Sequence, residues 1–170
     1  MHISTLLKDY GMYNHWANKR IVDWFRSKPL ELMDREVPSS FPSLKLTMLH
    51  VWGAEDIWLQ RLQGISPSQF LSTNFNGTVE TVFEGLVRNS ATFRDFLARQ
   101  SSEFFEETCS YIHTNGNPYT QFHAEIIQHC LQHSTYHRGQ MVTIAHNLGL
   151  TDPPTTDFIV YVRSKMNVQY

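Results

Sequence analysis

Apolar side chains recur at helical spacing in four long segments of the chain. Residues three and four positions apart share one face of an α-helix, so such a stripe predicts a helix with one buried face. The pattern predicts four main helices, over residues 4–27, 43–64, 78–97 and 120–148. Residues able to cap a helix N-terminus precede the first three, namely Ser4, Ser43 or Ser40, and Thr78.

The stretch between the third and fourth helices has a different composition. Residues 105–112 are rich in β-forming side chains, and the Asn-Gly-Asn sequence at 115–117 is typical of a hairpin turn. This pattern predicts a short β-hairpin or an extended crossover before the fourth helix. After the two prolines at 153–154, the Thr-Asp pair at 156–157 is expected to cap a short fifth helix.

These elements place the chain in the all-α fold class. The predicted architecture is a four-helix bundle with a short fifth C-terminal helix and a small β-hairpin before the fourth helix. The 170 residues have the length of one domain, and no internal repeat divides them. We therefore expect a single helical bundle domain over residues 1–170.

Charge and composition exclude several classes of function. The net charge is −2 without a basic stripe, which argues against nucleic acid as a partner. The apolar runs are too short to cross a bilayer, so no membrane partner is expected. The N-terminus lacks a basic and apolar signal segment, and two cysteines are too few for a disulfide framework. We expect a cytoplasmic protein with reduced thiols.

The candidate metal-binding residues lie in the fourth helix, where His129, His133 and His137 are spaced four residues apart. Side chains at positions i and i+4 lie on one helix face, one turn apart. Two neutral imidazoles placed in this way can bind one transition metal. The spacing alone fits equally well a polar, half-buried helix face that binds no metal.

A third candidate ligand is His50, in the second helix. Its neighbours include Leu49 and Trp52, so this helix belongs to the core. A histidine on such a face needs a hydrogen-bond partner or a metal, since an unpaired buried polar group costs about 1–3 kcal/mol. A lone histidine of this kind is more often satisfied by a hydrogen bond. Combined with a pair on a facing helix, it would complete a three-ligand site with a fourth position open to water, the pattern of catalytic zinc.

Four segments, in their order and separation, make nearly the whole chain resemble one known protein family. The segments are Tyr13-Asn-His-Trp-Ala-Asn18, Leu49-His50 with Trp58-Leu-Gln-Arg-Leu62, His133-Ser-Thr-Tyr-His-Arg-Gly-Gln140, and Pro153-Pro154 with Asp157-Phe158. Together they resemble the DinB-like (DinB/YfiT-like) family of metalloenzymes. The resemblance implies a four-helix bundle with a three-histidine metal site. Carried over by position, its ligands are His50, His133 and His137.

The resemblance also implies a chemistry. One divalent transition metal (nickel, zinc or iron) would act on a small-molecule substrate. Two reactions fit a neutral three-histidine site, namely S-transfer of a low-molecular-weight thiol and hydrolysis, and likeness to thiol-dependent transferases favours the first. Stress response and a homodimer are further expectations. The competing interpretation is a non-catalytic, dimeric, damage-inducible stress module that binds a metal, or a bundle that binds none.

Residues around the predicted site have expected roles. His129 lies one turn before His133 and could take its place as a ligand, but by the resemblance it should lie beside the metal site. His15 is expected to face the bundle or cap a helix. His123 is expected to be exposed. Cys130 should lie in the core, and Cys109 on a strand or crossover.

Four further residues of the fourth helix are expected to have structural roles. Tyr136 is expected to pack against the bundle. Arg138 is expected to pair with Glu55 or Asp56, and Gln140 to hydrogen-bond across helices. Gly139 costs about 1 kcal/mol in a helix interior, so it is expected to mark a close approach of another helix.

Overall fold

The structure is a computed structural model that describes residues 2–166. Four long helices account for most of it: α1 (Ile3–Arg26), α2 (Leu44–Leu62), α3 (Val79–Arg99) and α4 (His123–Asn147). A short helix, α5 (Phe158–Met166), follows, and two strands, β1 (Thr108–Ile112) and β2 (Pro118–Phe122), precede α4. The predicted helical fold with a small hairpin is confirmed.

The starts of α2 and α3 follow the sequence prediction. The Ser43 hydroxyl accepts a hydrogen bond from the Leu46 N–H at 3.2 Å, and the Thr78 hydroxyl accepts one from the Thr81 N–H at 3.2 Å. The predicted cap of α1 was wrong. His2 is the capping residue, because its Nδ1 accepts from the Ser4 N–H at 3.3 Å, and Ser4 lies inside the helix.

The β-hairpin is antiparallel, with Cys109 opposite Gln121. Its turn contains Gly116 at φ 88°, a left-handed conformation that glycine adopts without steric cost. Residues 118–122 pair with β1, so α4 begins at His123 and not near Thr120 as the pattern predicted. Cross-strand hydrogen bonds, which helical periodicity does not report, decide this boundary.

In the bundle, α1 packs against α3 and α4, and α2 packs against the same two helices. The large buried apolar side chains of the core form two main clusters. The first cluster centres on Phe25, Met48 and Phe83, and the second on Phe93 and Phe105. Burial of these side chains stabilises the bundle.

The cysteine predictions agree with the structure. Cys130 is buried in the second apolar cluster, and Cys109 lies on β1. Both are free thiols. Burial raises the pKa of the Cys130 thiol well above its ordinary value, so it stays protonated.

Three expectations for α4 were wrong. His123 is buried (8% exposed), because its ring stacks on Phe104 at 4.0 Å and its Nδ1 hydrogen-bonds the Phe104 carbonyl at 2.7 Å. Tyr136 is 69% exposed and does not pack into the bundle. A Cβ added to Gly139 would meet no atom within 4 Å, so no other helix approaches closely there.

The lengths and hydropathies of the helices also bear on the membrane prediction. Within residues 2–166, none of the helices is both long enough and apolar enough to cross a bilayer.

Candidate metal centre

Three histidines from two neighbouring helices converge where α2 packs against α4. The Nε2 atom of His133 lies 3.0 Å from Nε2 of His50 and 3.1 Å from Nε2 of His137. The three potential ligand atoms all lie within 4.8 Å of one another. This triad of His50, His133 and His137 is the set that the sequence resemblance implied.

Local geometry explains how the triad forms. His133 and His137 are one helical turn apart, so their rings project from the same face of α4. His50 lies on the face of α2 that packs against α4. Two rings from one helix and one from its neighbour therefore meet at a point that neither helix could enclose alone.

A hydrogen bond to Gln140 orients one ring of the triad. Nδ1 of His137 donates to Oε1 of Gln140 at 2.7 Å, and Nε2 of Gln140 donates to the Ser39 hydroxyl at 2.6 Å. With the Gln140 amide in this orientation, Nδ1 of His137 carries the proton and Nε2 presents its lone pair. Partners of this kind hold ligating histidines in place in metal proteins.

The donor set fits a divalent transition metal. With the Nε2 lone pair of His137 exposed towards His133, the single Nε2 position of His133 cannot hydrogen-bond both neighbours through one proton. A cation shared by three imidazole nitrogens would accept all three lone pairs. Zinc, nickel and iron all accept imidazole ligands.

The electrostatics keep two of these rings neutral at physiological pH. Burial, with repulsion from His137, lowers the pKa of His50 to about 4. Burial, with repulsion from His137, His50 and His129, lowers the pKa of His133 to about 3. Because only neutral imidazole binds a metal, both rings are ready to act as ligands without losing a proton.

These shifts predict how the stability of the metal-free protein depends on pH. An unfolded histidine has a pKa of about 6.5, so from about pH 7 down to pH 3 the unfolded chain binds more protons than the folded one. The free energy of unfolding should therefore fall as the pH falls through this window. We expect the fall, measured by urea denaturation, to be smaller for His133→Ala than for wild type.

The matched control for this measurement is His146→Ala, which removes an exposed histidine from the same helix. Its pH dependence should follow that of wild type. Equal losses of stability in wild type and His133→Ala between pH 7 and pH 4 would contradict the assignment.

Aromatic rings and a further histidine surround the triad. Phe41 stacks on His50 with ring centroids 4.0 Å apart and meets His137 edge-on at 5.7 Å. On another side, the rings of His129 and His133 are 5.9 Å apart, and His129 contacts Trp58 at 5.2 Å. His129 is exposed and lies beside the triad, as the sequence predicted. His15 faces the bundle, where it hydrogen-bonds Ser90 at 3.1 Å.

A buried polar network adjoins the triad and joins α1, α2 and α4. Oε1 of Glu55, a side chain with no exposed surface, accepts from Asn14 at 2.6 Å, from Asn18 at 2.9 Å and from the Ser134 hydroxyl at 2.8 Å. The same two asparagines accept from Nη1 of Arg138, at 2.6 and 2.8 Å. Ser134 directly follows a triad residue, so the network helps to set the position of α4 against α2.

The network differs from the pairing predicted for Arg138. Two asparagine side chains of α1 stand between Arg138 and Glu55, so the two charges are bridged and not in direct contact. Asp56 takes no part, since it accepts from Gln60 at 2.7 Å. Bridging amides supply a donor to Oε1 of Glu55 and an acceptor to Nη1 of Arg138, while Oε2 of Glu55 and Nε of Arg138 have no partner among the described residues.

Sequence reasoning missed two features of the centre. Gln140 was expected to bond across helices, and its bond to His137 within α4 went unpredicted, although the spacing of three residues places both side chains on one face. Ser39 and Phe41 lie in the linker before α2, where no periodic pattern exists. Only the folded chain brings them to the triad.

The fold and the site define a class of protein, namely helical bundles with three histidines clustered between two helices. A model of the DinB family matches residues 1–167. The chain belongs to the DinB family, and the resemblance seen in its sequence is confirmed.

Two known proteins show how close the relationship is. Protein DinB of Bacillus subtilis (strain 168) is 24% identical over 155 residues, which cover 88% of this chain and 90% of that protein. The crystal structure of a DinB-like protein from Bacillus cereus ATCC 10987 is similar with a TM-score of 0.66, at 16% sequence identity. That match covers 85% of this chain and 91% of the other, and it is a likeness of fold.

Proposed function

We propose that this protein is a metal-dependent enzyme that transfers a low-molecular-weight thiol to a small electrophile. The alternative reaction for the same site is hydrolysis of a small molecule. The observation that carries the proposal is the convergence of three histidine nitrogens within 4.8 Å of one another. Three protein ligands leave a coordination position for substrate, as in catalytic rather than structural zinc sites.

In this proposal His50, His133 and His137 hold one nickel, zinc or iron ion. The ion would supply Lewis-acid chemistry, lowering the pKa of a thiol or water and so producing a nucleophile at neutral pH. Three neutral ligands leave its charge uncompensated, which favours that effect. Membership of the DinB family supports metal chemistry in general, and the sequence resemblance to thiol-dependent transferases favours the thiol reaction.

The surrounding residues have defined parts in this scheme. Phe41 covers the triad on the side of the linker before α2 and excludes water there. His129 stands beside the triad and is exposed, and burial of its inner part lowers its pKa. A neutral imidazole at that place can accept the proton that a thiol or water releases.

The test is an activity measurement on metal-loaded protein. Zinc-, nickel- and iron-loaded samples would be assayed for conjugation of glutathione to a small aryl halide and for hydrolysis of p-nitrophenyl acetate. We expect conjugation that depends on metal and falls about 100-fold or more in His133→Ala, since one catalytic interaction is commonly worth that much. Hydrolysis without conjugation would select the second reaction.

Metal removal separates this proposal from non-catalytic metal binding. A structural metal contributes its binding energy to folding, so chelation would unfold the protein or lower its melting temperature steeply. The two large apolar clusters of the core argue for the opposite result. We expect chelation to abolish activity while the helical signal and cooperative melting persist, and collapse of the fold would favour the non-catalytic interpretation.

A cytoplasmic homodimer that acts in the stress response completes the proposal. Its small-molecule substrate is the partner that the site implies. Sedimentation equilibrium of the untagged protein measures the oligomeric state directly, and a monomer at micromolar concentration would remove the dimer from the proposal.

A further inference from the structure

A groove with a volume of about 630 Å³ runs between α1 and α4. Side chains from residues 3–13 and 128–142 line it, and residues 156–158 lie at one end. The groove lies on the side of α4 away from the triad, because Leu131 in its wall stands two positions from His133, which is about 200° around a helix. The chemistry of the triad therefore does not account for this cavity.

The groove is deep and narrow. Leu7 and Leu131 line it and belong to one apolar cluster of the core, with exposures of 7% and 3%, so they form its floor. Further along, the guanidinium of Arg138 lies 5.4 Å from the ring of Tyr13. Helices in contact have axes about 8–10 Å apart, so the gap above the floor is about as wide as a side chain. A partner helix, about 10–12 Å across, would rest on the rims, whereas a slender chain reaches the floor.

Gly139 keeps part of the groove open. It lies in the wall, is exposed, and a Cβ added to it would meet no atom within 4 Å. Glycine destabilises a helix interior, and no close contact within the bundle requires one at this position. The space that a side chain would fill here belongs to the groove, which makes it available to a molecule from outside the chain.

Apolar side chains make up most of the walls. Ile3 and Leu6 of α1 are 47% and 38% exposed, so two large aliphatic side chains at the rim remain in water. At the far end, the rings of Tyr10 and Phe158 stack with centroids 4.5 Å apart and form an aromatic wall. Small-molecule sites are concave, mostly apolar and about 300–1,000 Å³ in volume, and this groove has all three properties.

The charged residues of the groove do not favour an anion. Among the described residues that line it, Arg138 is the one cation, and it donates to Asn14, Asn18 and Thr135. Because its Nε is sealed in the interior and the residue is 2% exposed, Arg138 presents almost no surface to a ligand. Asp157, exposed at the same end of the groove, would repel a carboxylate.

The opposite end of the groove is polar and uncharged. Gln128 and Gln132 are exposed there, and their side-chain amides can both donate and accept hydrogen bonds. Ten residues separate Gln128 from Arg138, which corresponds to about 15 Å along the helix. The groove therefore joins an uncharged polar end to an apolar end, and an uncharged amphiphile has the same two parts.

We propose that this groove binds an uncharged single-chain amphiphile of the long-chain alcohol class. Its hydroxyl group lies at Gln128 and Gln132, and its hydrocarbon chain lies over Leu7 and Leu131 and ends at Phe158. The site is separate from the triad and needs no metal. It is therefore a second binding function of the domain, independent of the reaction proposed for the histidines.

Binding is tested by titrating the metal-free full-length protein with octanol and decanol while proton–carbon NMR follows its methyl groups. We expect saturable shifts at Leu7 and Leu131, with the methyl signals of Leu44, in the other apolar cluster, unchanged as the internal control. Each CH₂ group buried in the groove should raise the affinity about fourfold, so decanol should bind about 15-fold more tightly than octanol. Nuclear Overhauser effects from the decanol chain to Leu131 would locate the chain.

The choice of an uncharged head group is tested with decanoate, which has a hydrocarbon chain of similar length. A carboxylate in the groove gives up water without a cation to replace it. We expect decanoate to bind at least about tenfold more weakly than decanol.

A substitution at Gly139 tests the location. Gly139→Leu places a side chain in the open space of the groove, and leucine favours a helix interior more than glycine does, so the variant should keep the helical signal of wild type. We expect it to bind decanol at least about tenfold more weakly, because the added side chain occupies the space of the ligand. Thr143→Leu is the matched control with unchanged affinity, since Thr143 is exposed on the same helix and does not line the groove.

Three results would overturn the inference. Methyl shifts that do not saturate with decanol mean that the groove holds no hydrocarbon chain. Decanoate binding as tight as decanol binding contradicts the uncharged head group. Undiminished binding by Gly139→Leu places decanol elsewhere. The titration of wild type is decisive by itself, so a variant that fails to fold leaves the inference testable.

A second copy of the chain is the other occupant that the measurements distinguish. Sedimentation equilibrium of the same samples shows whether the protein associates. A dimer that excludes decanol and dissociates in Gly139→Leu would make the groove an interface between two chains and overturn the inference. Decanol binding at Leu7 and Leu131, in a monomer or in a dimer, supports the amphiphile site.

Discussion

Replacement of His133 by alanine is expected to abolish stoichiometric metal binding. Its Nε2 atom is the one that lies close to both other nitrogens, at 3.0 and 3.1 Å, so its loss leaves two ligands that are not fixed against each other. We expect wild type to bind one equivalent of zinc or nickel and the variant to bind at least about 100-fold more weakly, since even an outer hydrogen-bond partner is worth roughly 10- to 100-fold. Elemental mass spectrometry and calorimetric titration measure this.

The matched control is His129→Ala, one turn earlier on the same helix. His129 lies beside the triad and outside the set of convergent nitrogens, so its removal should leave the metal stoichiometry unchanged. Circular dichroism should show the same helical content in both variants. If His129→Ala lost the metal and His133→Ala kept it, the triad would be wrongly assigned.

Replacement of Arg138 by methionine is expected to destabilise the fold by about 3–5 kcal/mol, which is the usual cost of removing one partner from a buried charge network. The substitution removes the positive charge that opposes the rise of the Glu55 pKa caused by burial, and it leaves the oxygens of Asn14 and Asn18 without the Arg138 donor. Urea denaturation at pH 7 measures the loss.

Two further variants isolate the cause. Arg88→Met removes an exposed arginine of α3, and such surface changes usually stay within about 0.5 kcal/mol. Adding Glu55→Gln to Arg138→Met removes the buried negative charge and should restore part of the lost stability. An Arg138→Met protein as stable as Arg88→Met would show that the network contributes little.

The positions of the helices followed from local physics that the sequence displays. Apolar spacing gave α1 to α4, and the caps at Ser43 and Thr78 were read correctly, because capping acts between residues three positions apart. The hairpin turn at 115–117 was recognised for the same reason. The start of α4 was placed too early, since the pairing of β2 with β1 is not a local interaction.

The residues of the candidate site also fall into those that local sequence patterns predicted and those that only the folded structure brings together. The spacing of His133 and His137 shows in the sequence that both rings share a face of α4. Nothing local shows that His50 meets them. It was a candidate because a histidine on a core helix needs a partner or a metal, and the resemblance to the DinB-like family then implied the set of three. Errors at Gly139 and Tyr136 have one cause, because a single helix pattern does not reveal which of its faces has a neighbour.

By itself, the sequence determined the helical elements, the fold class, the family and the two histidines of α4 that share a face. Each depends on interactions within about one helical turn or on motifs in a fixed order. The tertiary structure decided the rest, namely the meeting of His50 with its partners and the asparagine bridge between Glu55 and Arg138. These contacts join residues far apart in the chain, and they depend on the rotation and register of packed helices, which no local pattern encodes.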